Sequence, residues 1–189
     1  LWDNNTPAGR ADSVVPQSGS GSIYYSSATT NTQLHDNLIG NAGMAMTTNV
    51  YPKAVAYELA TPEIVTRYMI WRGGTFPNGK MPTHWEFRAA ASKAVYNSID
   101  ATTYNVLDTQ TNFTAWGDRV TTTESASLNL DKGVVFNVNS NTTSYGYYIL
   151  HVTQNSDTFA LEMSEFALFK NEISNLHRVK SANEIWIYL

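Results

Sequence analysis

A glycine-rich segment comes closest to a known catalytic or nucleotide-binding motif in this chain. The run Gly74-Thr75-Phe76-Pro77-Asn78-Gly79-Lys80 has the glycine and lysine spacing of a phosphate-binding loop and follows a strand-like stretch. The next residue, however, is Met81, where that motif needs a serine or threonine to hold magnesium. Pro82 then opposes the helix whose N-terminus would bind phosphate. The segment therefore predicts a β-turn and excludes a nucleotide site.

Other residues of enzyme chemistry are scarce or badly spaced. The four histidines, His35, His84, His151 and His177, show no metal-ligand spacing such as His-x-x-x-His. The chain has no cysteine and no Gly-x-Ser-x-Gly nucleophile motif. A glycosidase pair of carboxylates far apart in the chain stays open, because spacing alone does not test it. We therefore predict a binding domain and not an enzyme.

The composition favours strands over helices. The chain is 42% hydrophobic but only 15% charged, and it contains 11 tyrosines, 7 phenylalanines and 5 tryptophans. Aromatic residues with Asn, Ser and Thr turns are typical of β-proteins. A net charge of −4 without a basic cluster argues against nucleic acid, and no apolar run is long enough for membrane insertion. The lack of cysteine favours a bacterial or phage origin.

Short apolar runs broken by turn residues predict the elements that would position a site. The predicted strands are Val55–Leu59, Ile64–Trp71, Thr83–Ala89, Tyr104–Thr109, Val134–Val138, Tyr147–Val152 and Met163–Phe169. Within the third, Trp85, Phe87 and Ala89 share one face. Many short strands predict an all-β, antiparallel β-sandwich of the jelly-roll type. The predicted core includes Trp85, Phe87, Tyr148, Leu150, Phe166 and Leu168.

The chain divides into one large domain and a short extension. Residues 1–170 are predicted to form the sandwich, with residues 1–32 as a loop-rich N-terminal segment. Residues 171–189 are predicted to form a C-terminal β-hairpin. Its last strand, Ile185–Tyr188, is strongly apolar, so we expect it to pack on the domain or on a partner.

The order of six segments resembles the galactose-binding-like superfamily, which includes discoidin or factor V/VIII C-type domains and carbohydrate-binding modules. The matching segments are Leu34–Leu38, Tyr51–Leu59, Ile64–Phe87, Val106–Thr111, Tyr145–Leu150 and Met163–Phe169. The resemblance covers most of the chain and implies a jelly-roll sandwich that binds its ligand through loops at one end. It says less about the ligand, because this fold hosts binding to sugars, lipids and proteins.

The resemblance implies a structural calcium ion. Members of the superfamily hold calcium between an early aspartate and a glutamate of the closing segment, which here correspond to Asp36 and Glu165. Carboxylate and carbonyl oxygens are the ligands that calcium prefers. The family's Asp-Gly-Asn has become Asp36-Asn37-Leu38, so the glycine of the turn is lost. The alternative is that Asp36 caps a turn and Glu165 pairs with a basic side chain.

The resemblance also implies a sugar site made by two loops. Arg72 and Asn78 would bind sugar hydroxyls, and Phe159 would stack on the apolar face of the ring. The alternatives are that Arg72 only forms a salt bridge within its loop, that Asn78 belongs to an ordinary turn, and that Phe159 lies in the core. Trp116 and Tyr145 lie near loops and fit either a core or a ligand-binding role.

The predicted function is a non-catalytic carbohydrate-binding or adhesion module that recognises a galactose-like glycan on a glycosylated cell surface. The alternative is a structural or host-attachment protein of a phage virion, such as a decoration or tail protein, without a sugar site. These two functions place the chain outside the cell or on a virion surface. Both are compatible with a homo-oligomer or a virion assembly.

Overall fold

The structure is a computed structural model, and it describes ten stretches of the 189-residue chain. They are residues 21–25, 29–32, 44–46, 50–72, 80–93, 103–116, 133–155, 160–170, 179–180 and 186–187. Every helix or strand element within them is a strand. The described residues contain no helix long and apolar enough to span a membrane.

Thirteen strands are described, and they are numbered in chain order. They are β1 Gly21–Tyr25, β2 Thr29–Thr32, β3 Met44–Met46, β4 Lys53–Glu63, β5 Val65–Trp71, β6 Pro82–Ala90, β7 Asn105–Gln110, β8 Val134–Asn137, β9 Tyr145–Asn155, β10 Leu161–Met163, β11 Glu165–Lys170, β12 Val179–Lys180 and β13 Trp186–Ile187.

Two antiparallel sheets form the body of the domain. One has five strands in the order β1-β4-β9-β6-β7, and the other has three in the order β11-β5-β8. A small sheet in the order β10-β3-β2 and the antiparallel pair β12-β13 complete the described strands. The pair β12-β13 lies within the predicted C-terminal hairpin, and the domain boundary at residue 170 stays a prediction.

Aromatic side chains fill the space between the two main sheets. Phe166 of the three-stranded sheet stacks on Tyr57 of the five-stranded sheet, with 5.2 Å between ring centroids. Tyr68 stacks on Phe87 at 4.3 Å in the same way. All four rings are wholly buried, and for Phe87 the alternation of apolar residues in β6 predicted this burial. The predicted all-β antiparallel sandwich is confirmed, and the six residues predicted for its core are buried.

The last predicted strand differs from the structure in one respect. The sequence predicts a single strand over Met163–Phe169, but the strand is interrupted at Ser164, where the chain passes from one sheet to another. Before the break, Met163 pairs with Met44 in the small sheet; after it, Glu165 pairs with Trp71 in the three-stranded sheet. The Ser164 N–H donates to the Trp71 carbonyl at 2.9 Å, which fixes the point of change.

Candidate binding site

Three connections begin and end at the same end of the sandwich. The β5–β6 connection runs from Arg72 to Met81, and the β9–β10 connection leaves from Asn155. Asn155 pairs with Pro82 at the start of β6, so these two connections are neighbours. The third links β2 to β3, and its flanking residues Thr32 and Met44 pair with each other. Met44 also pairs with Met163, next to Ser164, whose N–H donates to the Trp71 carbonyl, so this connection lies at the same end.

An ion pair joins the β5–β6 connection to the small sheet. The Lys80 ammonium donates to Oε1 of Glu162 at 2.7 Å, and the two side chains are only 22% and 9% exposed. A short pair with little exposure is less screened by solvent than a surface pair. Lys80 is therefore held in place and bounds one side of this end of the sandwich.

A buried amide closes the β9–β10 connection at its base. Asn155 is 5% exposed, and its Nδ2 donates to the carbonyl of Ala160. This bond ties the last residue of β9 to the residue before β10. Asn155 and Ala160, which flank residues 156–159 in the sequence, therefore lie beside each other at the same end as Lys80.

Arg72 and Glu165 lie at the ends of the adjacent strands β5 and β11 that meet here. Arg72 follows directly after β5 and is partly exposed, and Glu165 pairs with Trp71, the residue before it. Phe166 points into the core, so the alternation of the strand directs Glu165 to the other face of the sheet. The Glu165 side chain is wholly buried there. A buried carboxylate is costly without compensating charge or hydrogen bonds, so this position is not that of an ordinary surface acid.

The described residues also place Lys53 and Trp116 near this end. The wholly buried Lys53 Nζ donates to the Met46 carbonyl at 3.0 Å, and burial lowers the pKa of this lysine. Trp116 is partly exposed; its Nε1 donates to the Pro82 carbonyl at 3.0 Å, and its ring stacks on Trp85. Trp116 thus touches the core and borders the site, whereas Tyr145 lies at the other end, opposite Glu63 in the β4–β9 pairing.

The structure describes two of the five predicted site residues. Arg72 and Glu165 lie at the same end, as described above. Asp36, Asn78 and Phe159 lie outside the described residues, so their predicted roles stay predictions. The described chain nevertheless reaches both ends of each connection that carries them. Within the described ranges, no group of three or more His, Asp or Glu side chains comes together as a metal site.

Sequence reasoning missed Lys80, Glu162 and Asn155 as parts of this end. Lys80 was recognised only as the last residue of a glycine-rich turn. Its partner Glu162 is 82 positions away, and no local pattern relates the two. Pro82 was a usable signal, since proline is tolerated as the first residue of a strand and so places Lys80 two residues before one.

Solved structures with the same fold were found by comparison. The family 32 CBM from C. perfringens NanJ in complex with galactose has 10% identity, covers 79% of this chain and 93% of its own, and has a TM-score of 0.54. The F5/8 type C domain of a Bacteroides fragilis protein has 8% identity, coverages of 86% and 99%, and a TM-score of 0.57. Chitosan-binding module 2 from a Paenibacillus chitosanase/glucanase, in complex with chitotriose, has 12% identity, coverages of 80% and 97%, and a TM-score of 0.52.

These likenesses establish the fold. The sequence matches no family model, and no curated protein is similar to it. At identities near 10%, a shared fold does not establish a shared ligand. The chain therefore shares the β-sandwich fold of these modules and of the F5/8 type C domain, which is the fold that the segment order predicted.

Proposed function

We propose that this domain is a non-catalytic carbohydrate-binding module that recognises a galactose-like glycan at the end of the sandwich bounded by Arg72 and Lys80. The observation that carries the proposal is the convergence of three connections at that end, on a fold shared with a module solved in complex with galactose. A chitotriose complex on the same fold supports carbohydrate as the ligand class.

The groups at this end suit a sugar ring. The Arg72 guanidinium offers a planar fork of donors, which pairs well with adjacent hydroxyl oxygens. We propose that Asn78 adds an amide and that Phe159 stacks on the C–H face, because both belong to connections that start at this end. Trp116 is a further partly exposed ring beside Pro82.

A titration followed by NMR tests the proposal. Galactose and N-acetylgalactosamine are added to the ¹⁵N-labelled protein, and the amide shifts are mapped. We expect shifts at Arg72, Lys80 and Trp116, with an affinity on the order of millimolar, because shallow polar sites bind weakly. No shifts at these amides at about 50 mM of either sugar, which is well above that affinity, would contradict the proposed site.

We propose that calcium binds beside this site, with Asp36 and Glu165 as side-chain ligands. The described residues fit this role in two respects. Glu165 supplies a wholly buried carboxylate. The segment that carries Asp36 joins β3 at Met44, which pairs with Met163, two residues before Glu165. Calcium would supply a fixed positive charge that holds this segment against the start of β11.

Chelation should lower the thermal stability of the protein. An ion that binds only the native state stabilises it by about 4 kcal/mol at a thousand times its Kd. We therefore expect EDTA to lower Tm by several degrees and excess calcium to restore it. Glu165→Gln should abolish the response to EDTA, whereas Glu162→Gln, the matched control, should keep it. Equal Tm values with and without EDTA, and no calcium in the purified protein, would show that Asp36 serves only as a turn residue.

We further propose that the module acts outside the cell, on glycans of a cell surface. Weak glycan-binding sites act through multivalency: several of them on one assembly give strong binding to a surface that displays many sugars. An oligomer or a multi-module protein would supply that multivalency. The same arrangement would serve a virion attachment protein.

A further inference from the structure

A pocket of about 390 Å³ lies at the opposite end of the sandwich. The strand β9 runs between the two ends: Asn155 closes the candidate site, and Tyr145 pairs with Glu63 at the other end. Eleven residues of strand place the two ends about 30 Å apart. The described lining residues are Glu63, Ile64, Thr66, Asn139, Asn141, Thr142 and Lys170.

Buried hydrogen bonds fix the walls of this pocket. The Tyr148 hydroxyl donates to the Glu63 carbonyl at 2.6 Å and accepts from the Val65 N–H at 3.2 Å, which pins the turn from β4 to β5. Asn141 is 7% exposed; its Nδ2 donates to the Val65 carbonyl at 2.9 Å, and its Oδ1 accepts from the Thr143 N–H at 3.1 Å. The pocket is therefore preorganised, and a ligand would not have to order it.

The polar groups of the pocket form a neutral, partly solvated pair. The Lys170 ammonium lies 3.2 Å from Oε1 of Glu63, and the side chains are 43% and 34% exposed. Exposed ion pairs of this kind contribute little to stability. The protein therefore loses little stability when Lys170 and Glu63 form hydrogen bonds with a ligand instead of with each other. Because the two charges cancel, the pocket favours neither an anion nor a cation.

An apolar wall stands beside the ion pair. Ile64 is 39% exposed, whereas most of the apolar side chains that the structure describes are buried. A pocket of a few hundred Å³ with an apolar wall and a few convergent polar groups is typical of small-molecule sites. Ile64 is therefore placed to face the apolar side of a ligand.

We infer that this pocket is a second ligand site, for a small uncharged polyhydroxyl compound such as a monosaccharide or the terminal sugar of a glycan. A hydroxyl group both donates and accepts, so neighbouring hydroxyls can donate to Glu63 and accept from Lys170 at once. The C–H groups of the ring would lie against Ile64. The inference does not depend on the site at the Arg72 end, and two sites at opposite ends would let one domain bridge two glycans.

The test uses NMR titration of the full chain with galactose, N-acetylgalactosamine, glucose and N-acetylglucosamine. We expect at least one sugar to shift the amides of Ile64, Thr66 and Thr142, with a Kd on the order of millimolar. Asn139→Trp should block these shifts by filling the pocket at an exposed position. Ser140→Trp, an exposed neighbour that does not line the pocket, is the matched control and should leave them unchanged.

Glu63→Gln provides a second variant that leaves the pocket open. Because it removes the charged acceptor, it should weaken binding in the pocket by about tenfold, as expected for one charge-assisted hydrogen bond. Shifts at Arg72 and Lys80 alone, with none in the pocket for all four sugars, would overturn this inference and leave the proposed function standing. Pocket shifts that persist unchanged in both Asn139→Trp and Glu63→Gln would also overturn it. Pocket shifts without any at Arg72 would support it and contradict the proposed function.

Discussion

Arg72→Ala is expected to weaken galactose binding by about 10- to 100-fold. Because the wild-type affinity is only millimolar, binding by the variant should then be too weak to detect. Hydrogen bonds from a charged donor contribute about 1.5–3 kcal/mol, and each 1.4 kcal/mol is a factor of ten in affinity. The residue follows directly after β5 and is partly exposed, so the substitution removes the guanidinium without opening a cavity in the core. Calorimetric titration with galactose checks this: we expect binding heat for the wild type and none for the variant.

Two controls separate the guanidinium from its charge and from general effects. Arg72→Lys keeps the positive charge but loses the planar fork, so we expect it to recover only part of the binding. Lys93→Ala removes an exposed positive charge beyond the far end of β6 and should bind galactose as the wild type does. If Arg72→Ala binds galactose as tightly as the wild type, Arg72 is not part of a sugar site.

Tyr68→Phe is expected to lower the free energy of unfolding by about 2–4 kcal/mol. The Tyr68 hydroxyl donates to Oδ2 of Asp108 at 2.7 Å and accepts from Nε1 of Trp85 at 2.8 Å. Trp85 is 1% exposed, so its Nε1–H would be left buried without this partner, at a cost of about 1–3 kcal/mol. The bond to the Asp108 carboxylate is also lost, and this adds less, because Asp108 is partly exposed and keeps its hydrogen bonds from Nε2 of Gln110. For a chain of this size, we expect Tm to fall by roughly 6–12 °C.

Tyr145→Phe is the matched control, because it removes a hydroxyl from a partly exposed ring at the end of the sandwich. We expect its free energy of unfolding to change by no more than about 0.5 kcal/mol.

The hydrogen bonds of Tyr68 also make the stability of the protein depend on pH in the alkaline range. Burial, followed by the hydrogen bond and the negative charge of Asp108, raises the pKa of Tyr68. The folded state therefore holds this tyrosine neutral, and its contribution is lost as the pH rises above 10, the unfolded value. Equal denaturation midpoints for Tyr68→Phe and the wild type would contradict this account.

The sandwich was predictable because strand alternation is a local signal. Trp85 and Phe87 alternate with polar residues, and that pattern alone assigns them to the core. The break at Ser164 was not predictable, because the chain changes sheets within a run that reads as one continuous strand. What fixes the break is the pairing of Met163 with Met44 and of Glu165 with Trp71, which are distant in sequence.

The candidate site was only partly predictable for a related reason. The resemblance pointed to Arg72 and Glu165, and the structure brings both to one end. The Lys80–Glu162 pair at that end depends on tertiary contacts between segments 82 positions apart.

The role of Asp108 in the core was not predictable either. It lies in a predicted strand, where an acid normally faces solvent, yet it accepts a hydrogen bond from the buried Tyr68 hydroxyl. Only the packed structure shows why an acid is needed there.

A glycan array in calcium-containing buffer tests the central claim most directly. The protein is displayed in multivalent form, because single sites of millimolar affinity need repetition to be seen. We expect binding to glycans that end in galactose or N-acetylgalactosamine, and loss of that binding for Arg72→Ala. If the wild type binds no glycan, the domain is not a carbohydrate-binding module, and the alternative of a structural or host-attachment module of a phage virion, without a sugar site, takes its place.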